Sequence, residues 1–153
     1  MSVEQKLKEL GLELPPPLPP QGAYRPVVVV GDIAHLSGQG PVRADRSMIT
    51  GRVPDERSVE EAIEAARLTG LNALAQIKAH FGTLDVVEEV VKVFGLVNAA
   101  PGFGEHPRVI DGFSKLMIDV FGPLGAGARS AVGASSLPMN ISVEVEMAIK
   151  LKR

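Results

Sequence analysis

Cysteine and long apolar runs are both missing from this chain, and each absence excludes a class of protein. Without cysteine there are no disulfide bonds, thiol nucleophiles or cysteine metal sites. The longest aliphatic run, Val27 to Val30, is far too short to span a bilayer, and no basic region followed by a long apolar run stands at the N-terminus. We therefore expect a cytoplasmic protein with no membrane partner.

An excess of positive charge is missing too, since the net charge is −2. Neither nucleic acid nor an anionic membrane would attract such a chain through bulk electrostatics. The histidines, His35, His80 and His106, stand at no metal-ligand spacing. We expect no nucleic-acid partner, no metal and no cofactor. His106 is expected at the surface, or lining a cleft if its loop folds over.

The first 22 residues differ from the remainder, so we divide the chain into residues 1–22 and a single domain over 23–153. Ser2 and Gln5 form a capping-box pattern, which predicts a short amphipathic helix over residues 3–11. Successive prolines between Pro15 and Pro20 predict an extended segment, because proline neither donates to a ladder nor continues a helix. A stiff arm over the domain is one interpretation of this segment, and a recognition ligand for a partner is another.

The domain alternates strand and helix patterns. Val27–Val30 and Ile33–Ser37 predict a hairpin, and the four valines predict a strand covered on both faces. Another strand is expected over Glu88–Val97. The long helix starts with a capping box at Ser58 and Glu61 and stops at Gly82; small residues on its apolar stripe predict close packing against a sheet: Ala62, Ala66, Gly70 and Ala73. Apolar spacing from Val109 to Val120 predicts a second amphipathic helix.

These elements predict an α/β sandwich, that is, an α+β fold in which two long helices cover one face of a mainly antiparallel sheet of five or six strands. No helix remains for the other face of the sheet. An apolar sheet face needs cover, so the sequence also predicts an oligomer.

The C-terminal stretch from Ala128 to Glu146 reads as two strands joined by a short polar turn, with period-two alternation from Ile141 onward. A hairpin folded back near Ser136 would bring Arg129 close to Glu144 on one sheet face. A converging guanidinium and carboxylate can form a site, or simply a surface ion pair.

Spaced motifs in the chain resemble the YjgF/RidA family, also labelled endoribonuclease L-PSP. Arg129-Ser130 precedes Glu144-Val145-Glu146 by the family's fifteen positions, and three upstream motifs follow the family's order: Tyr24, Ser37-Gly38-Gln39 and Thr50-Gly51-Arg52-Val53. The resemblance runs from Tyr24 to the C-terminus. It implies a chorismate mutase-like fold and a homotrimer with ligand clefts between subunits.

The resemblance also implies a reaction, the hydrolytic deamination of small 2-imino or enamine acids without a cofactor. Arg129 would hold the substrate carboxylate and Glu144 would activate water, with Glu146 as support or a solvated charge. Substrate contacts are expected from the following residues: Tyr24, Ser37, Gly38 and Ala131. Ala131 stands where many members carry cysteine, which leaves only a main-chain role there. No asparagine stands near Ile110–Phe113, where members usually have one.

Two alternatives to an imine deaminase stay open at this point. A trimeric module that binds small carboxylates without catalysis would fit the altered positions and the proline-rich arm. An endoribonuclease or translation inhibitor would fit the family label, although the mildly acidic pI of about 5.9 and the lack of a histidine pair weigh against it.

Overall fold

A computed structural model describes residues 1–153, and its strands form one five-stranded sheet in the order β1-β2-β5-β3-β4. Only β3 and β4 run parallel; the other neighbours are antiparallel. The mixed fold with a mainly antiparallel sheet is confirmed. The strands are β1 Val27–Val30, β2 Ile33–Gln39, β3 Val87–Asn98, β4 Ala128–Ala134 and β5 Val143–Leu151.

Three helices accompany the sheet: α1 Val3–Glu9, α2 Val59–Phe81 and α3 His106–Phe121. Both predicted capping boxes form, since the Ser2 and Ser58 hydroxyls accept hydrogen bonds from the backbone N–H groups of Gln5 and Glu61. The first helix ends at Glu9, two residues before the predicted end. Short 3₁₀ turns follow at Gly122–Gly125 and Pro138–Asn140. None of the helices is long and apolar enough to cross a membrane.

The core lies between one face of the sheet and the pair α2 and α3. Alternate residues of β3 and β5 supply it, among them Val93, Val97, Val143, Val145 and Met147. The residues between them point to the other face, which no helix covers; we call it the open face. It carries Phe94, Leu96, Val132, Glu144 and Glu146.

The four-valine strand is not covered on both faces, so that prediction was wrong. β1 is an edge strand that pairs only with β2, and the side chains of Val29 and Val30 are 42% and 65% exposed. A run of β-branched residues favours a strand, but it does not say whether neighbours lie on both sides.

The small-residue stripe of α2 is buried as predicted, and the helix packs on the sheet, but the stripe also allows close approach to α3. A Cβ added at Gly70 would lie 2.7 Å from Leu116 Cδ2. A Cβ added at Gly112 of α3 would overlap the carbonyl oxygen of Ile63. The two helices therefore touch nearly backbone to backbone.

The predicted hairpin between β4 and β5 does not exist, because β3 lies between these strands. After β3, α3 carries the chain back along the sheet, so β4 enters parallel to β3 at the far edge. The chain then turns through Met139 and Asn140, both in the left-handed region with φ of 55° and 58°, before it enters β5 on the opposite side of β3.

Candidate functional site

Four of the predicted site residues line one cavity of about 480 Å³: Tyr24, Ser37, Gly38 and Glu144. The cavity is bounded by the end of β2, the loop after it, the start of β5 and the proline-rich segment. The antiparallel pairing of β2 with β5 brings Ser37 and Gly38 close to Glu144. Tyr24 joins them from the segment before β1.

Glu144 lies half-buried on the open face, directly against the backbone of Gly38. A register shift in β2 between Leu36 and Gln39 marks a bulge there. A Cβ added at Gly38 would lie 3.1 Å from Glu144 Cδ. A side chain at this position would press on the Glu144 carboxyl group, which would have to shift to make room.

Burial raises the pKa of Glu144, and the neighbouring carboxylate of Glu146 raises it further. Glu146 is two residues along β5 and lines the same cavity. A carboxyl group with a raised pKa is a stronger base when ionised and is more readily protonated near neutral pH, which suits proton transfer.

The other two residues of the cavity are tied to the backbone. The Ser37 hydroxyl donates to the carbonyl oxygen of Arg25 at 2.7 Å, so its proton is already used. The Tyr24 hydroxyl accepts a hydrogen bond from the backbone N–H of Gln21 at 3.1 Å, which fixes the ring beside the proline-rich segment. Tyr24 therefore lines the cavity next to the proline-rich segment.

Arg129 does not face Glu144, which corrects the expectation from the hairpin. It pairs with Val93 in the register of β3 and β4, so it points toward the helices. Its Nη1 donates to Asp111 Oδ1 at 2.8 Å and to Ser114 Oγ at 3.3 Å, both on α3. Ala131 lies two residues along β4 on the same side, where it packs against the core.

Asp111 is the residue that sequence reasoning missed. It occupies the Ile110–Phe113 segment, in which we looked for an asparagine, and an aspartate can hold a guanidinium equally well. Asp111 and Ser114 are one helical turn apart, so they reach the same neighbour on β4. The spacing of these two polar residues on an amphipathic helix could have indicated a shared partner on a neighbouring strand.

His106 lines a second cavity, of about 520 Å³, together with Arg52, Phe103 and Ser135. Its ring meets that of Phe103 edge to face with 5.1 Å between centroids. His35 and His80 are exposed. No group of three or more histidine, aspartate or glutamate side chains is arranged to hold a metal ion.

The sheet order and the single α-layer define an α+β sandwich of the chorismate mutase-like class. The sequence model of one family, described as "YjgF/chorismate_mutase-like, putative endoribonuclease", matches residues 4–151. The chain belongs to this family, also called YjgF/RidA. The match starts well before Tyr24, so it includes α1 and the proline-rich segment.

Named relatives agree with the family. The chain is 37% identical over 150 residues to Protein TCP17 of Trypanosoma cruzi, covering 97% of this chain and 94% of the relative. It is 30% identical over 139 residues to a 2-iminobutanoate/2-iminopropanoate deaminase of Dermatophagoides farinae, covering 89% and 93%. The crystal structure of Atu1372 from Agrobacterium tumefaciens, of unknown function, superposes with a TM-score of 0.90 at 38% identity, covering 99% of this chain and 94% of that one.

Proposed function

We propose that this protein hydrolyses small reactive 2-imino and enamine acids to 2-keto acids and ammonia. The proposal rests on one observation: a single cavity is lined by Tyr24, Gly38 and Glu144, and burial there raises the pKa of Glu144. The activity printed for the mite relative supports it.

In the proposed reaction, Glu144 accepts a proton from water as the water oxygen bonds to the imine carbon. This proton passes to the nitrogen as the carbon–nitrogen double bond becomes single, which gives a carbinolamine. Glu144 then takes the proton of the new hydroxyl group and delivers it to the nitrogen, the remaining carbon–nitrogen bond breaks, and ammonia leaves a 2-keto acid behind. An enamine first tautomerises to the imine. Positioned proton transfer of this kind contributes about 10²- to 10⁴-fold to rate.

Arg129 is proposed to hold the substrate carboxylate. A planar guanidinium has five N–H donors and matches a carboxylate with two parallel hydrogen bonds. Asp111 and Ser114 accept hydrogen bonds from Nη1, and the Pro107 carbonyl oxygen accepts one from Nη2 at 3.5 Å, while Nε donates to no group of the chain. The remaining donors are therefore available to a ligand. The side chain is only 24% exposed, which limits the competition of water with the ligand for these donors.

A complete site requires more than one copy of the chain, and we propose the homotrimer implied by the family resemblance, with clefts between subunits. Arg129 and Glu144 point to opposite faces of the sheet in one chain. The edge strand of one copy can bring Arg129 to the Glu144 cavity of its neighbour. Apolar residues of the open face, Phe94, Leu96 and Val132, supply surface for this association.

The test generates 2-imino acids in place with an amino acid oxidase and traps the free imine with semicarbazide. Wild type should lower the yield of semicarbazone, because hydrolysis competes with trapping. Arg129→Ala and Glu144→Gln should each lose that effect, by about 10²-fold or more for Glu144→Gln.

The matched control is Arg67→Ala, which removes another arginine paired with a carboxylate, that of Asp119, but outside the cavity. This variant should retain wild-type activity. Full activity of Arg129→Ala would contradict the assigned role, and an inactive wild type across several side chains would contradict the reaction.

A second candidate function is a carboxylate-binding module without catalysis. The favouring observation is that Arg129 and Glu144 point to opposite faces of the sheet, so within one chain the guanidinium has no catalytic base beside it. In that case a 2-keto acid should raise the melting temperature of the protein while the semicarbazone yield stays unchanged.

The family label of an endoribonuclease has less support. Glu144 and Glu146 place two carboxylates in the cavity of about 480 Å³, and these would repel a phosphodiester. Only RNA binding that weakens steeply with salt would favour this function.

A further inference from the structure

The proline-rich segment forms one wall of the cavity that holds Glu144. Leu18, Pro19, Pro20 and Gln21 all line it, opposite residues of β2 and β5. A segment outside the regular elements of the sheet therefore shapes the space next to the carboxylate.

This wall is tethered and stiff. Gln76, on α2 and only 6% exposed, donates from Nε2 to the carbonyl oxygen of Leu18 at 2.7 Å. At the other end, the backbone N–H of Gln21 donates to the Tyr24 hydroxyl, and the Gln21 side chain donates to the Pro19 carbonyl at 3.2 Å. Because proline fixes its own φ angle, holding the segment in place costs little conformational entropy.

The cavity is lined by both polar and apolar side chains. The polar part of the lining includes Glu144, Glu146 and Ser37, and the apolar part is larger than a three-carbon acid needs: Leu18, Pro26, Val42, Met48, Met139 and Ile141. Its volume of about 480 Å³ lies within the range of roughly 300–1,000 Å³ that accepts ligands much larger than a three-carbon acid.

We propose that Leu18, positioned by Gln76, forms a side-chain subsite that makes the protein select 2-imino acids with bulky aliphatic side chains over those of alanine size. The catalytic part of this statement rests on the proposed function. The selection itself is a binding property, and it can be measured without turnover.

The chain offers a built-in reporter for this cavity. It contains no tryptophan and one tyrosine, and that tyrosine is Tyr24 in the cavity wall. Intrinsic tyrosine fluorescence of the full-length protein therefore follows occupation of this cavity. Stable 2-keto acids, the products of the proposed reaction, serve as probes.

We would titrate wild type with pyruvate and with the keto acid of leucine, following Tyr24 fluorescence and the melting temperature. The larger acid should bind between about tenfold and a hundredfold more tightly, because it buries three more carbon atoms. Leu18→Ala, which keeps the tether, and Gln76→Ala, which removes it, should each reduce this ratio to below about threefold.

Pro17→Ala is the matched control, since Pro17 belongs to the same segment but does not line the cavity. It should keep the wild-type ratio. Equal affinities in wild type, an unchanged ratio in Leu18→Ala, or no response of either signal to either acid would overturn the subsite. Selective binding without imine hydrolysis would retain the subsite and reject the proposed reaction.

Discussion

At the scale of single residues, Glu144 and Glu146 are two like charges on one side of β5. Burial raises the pKa of Glu144 above its ordinary value of 4.5, and the repulsion from Glu146 raises it further. The pH above which the proposed activity appears should therefore depend on Glu146, although Glu146 itself transfers no proton.

The corresponding prediction concerns Glu146→Gln. Removing the like charge lowers the pKa of Glu144, so the acid limb of the profile of kcat/KM against pH should move to lower pH. Activity on the plateau should stay within about threefold, because the base itself is unchanged. Glu64→Gln, an exposed change on α2, is the control and should leave the profile in place. A limb that does not move would show that the charge of Glu146 does not act on the titrating group.

Asp111 makes the second prediction at this scale. Asp111→Asn keeps an oxygen that accepts from Arg129 but removes a negative charge close to the expected substrate carboxylate. Repulsion between unit charges a few ångströms apart near a surface is about 1 kcal/mol or more, so KM should fall by roughly threefold to tenfold. Steady-state kinetics on the imine assay would measure it.

The comparison variant is Asp111→Ala, which also removes the oxygen that orients Arg129. It should raise KM above that of the asparagine variant. A higher KM in Asp111→Asn than in wild type would show that the charge, and not the orientation, prepares Arg129 for its ligand.

At the scale of elements, α1 depends on contacts with other parts of the chain, because seven residues are too few for a stable isolated helix. Leu7 is buried in the core. The Glu4 carboxylate accepts hydrogen bonds from the Leu84 backbone N–H at 2.8 Å and the Thr83 hydroxyl at 3.1 Å. Burial acts to raise the pKa of Glu4, but these hydrogen bonds outweigh it and hold the pKa below 4.5.

Because the folded-state pKa of Glu4 is lowered, its contribution to stability is present above pH 4.5 and is lost as pH falls through the lowered value. Glu4→Gln should therefore reduce the free energy of unfolding by about 1 kcal/mol at pH 7. The difference from wild type should shrink below pH 4.5. Urea denaturation at both pH values measures it.

Glu9→Gln is the control on the same helix. Glu9 is exposed, and its side chain makes no hydrogen bond, so the free energy of unfolding should change by less than about 0.5 kcal/mol. If both substitutions reduced the free energy of unfolding equally, the effect at Glu4 would come from the loss of a negative charge on the helix and not from the contacts with Thr83 and Leu84.

At the scale of the whole molecule, the proposed assembly uses the open face. Val132→Glu places a charge on a side chain that is 39% exposed in a single chain, so the fold itself should tolerate it. If copies associate through this face, the charge is repeated at each interface and should dissociate the oligomer. Sedimentation velocity would measure the change in mass.

Ile118→Glu is a matched control, because Ile118 is 40% exposed but lies on the outer side of α3. It should leave the mass unchanged. A Val132→Glu protein with the wild-type mass would place the interface elsewhere, and a monomeric wild type would contradict the shared site. Loss of the oligomer should abolish hydrolysis, since Arg129 and Glu144 then remain on opposite faces.

The sequence by itself determined the features that depend on residues close together in the chain. Capping boxes at Ser2 and Ser58, apolar periodicity and turn residues gave the helices and most strand limits, because hydrogen bonds at helix ends and side-chain periods involve residues close in the chain. The spaced motifs gave the family and the cavity residues Tyr24, Ser37, Gly38 and Glu144 together.

Only the tertiary structure decided strand order and face. Because β3 lies between β4 and β5, Arg129 is far from Glu144 and pairs with Asp111 instead. Because β1 lies at an edge of the sheet, two of its valines are exposed. Strand pairing joins residues far apart in the chain, so the same alternation fits several neighbours. The route of α3 across the sheet selects among them, and no local pattern encodes that choice.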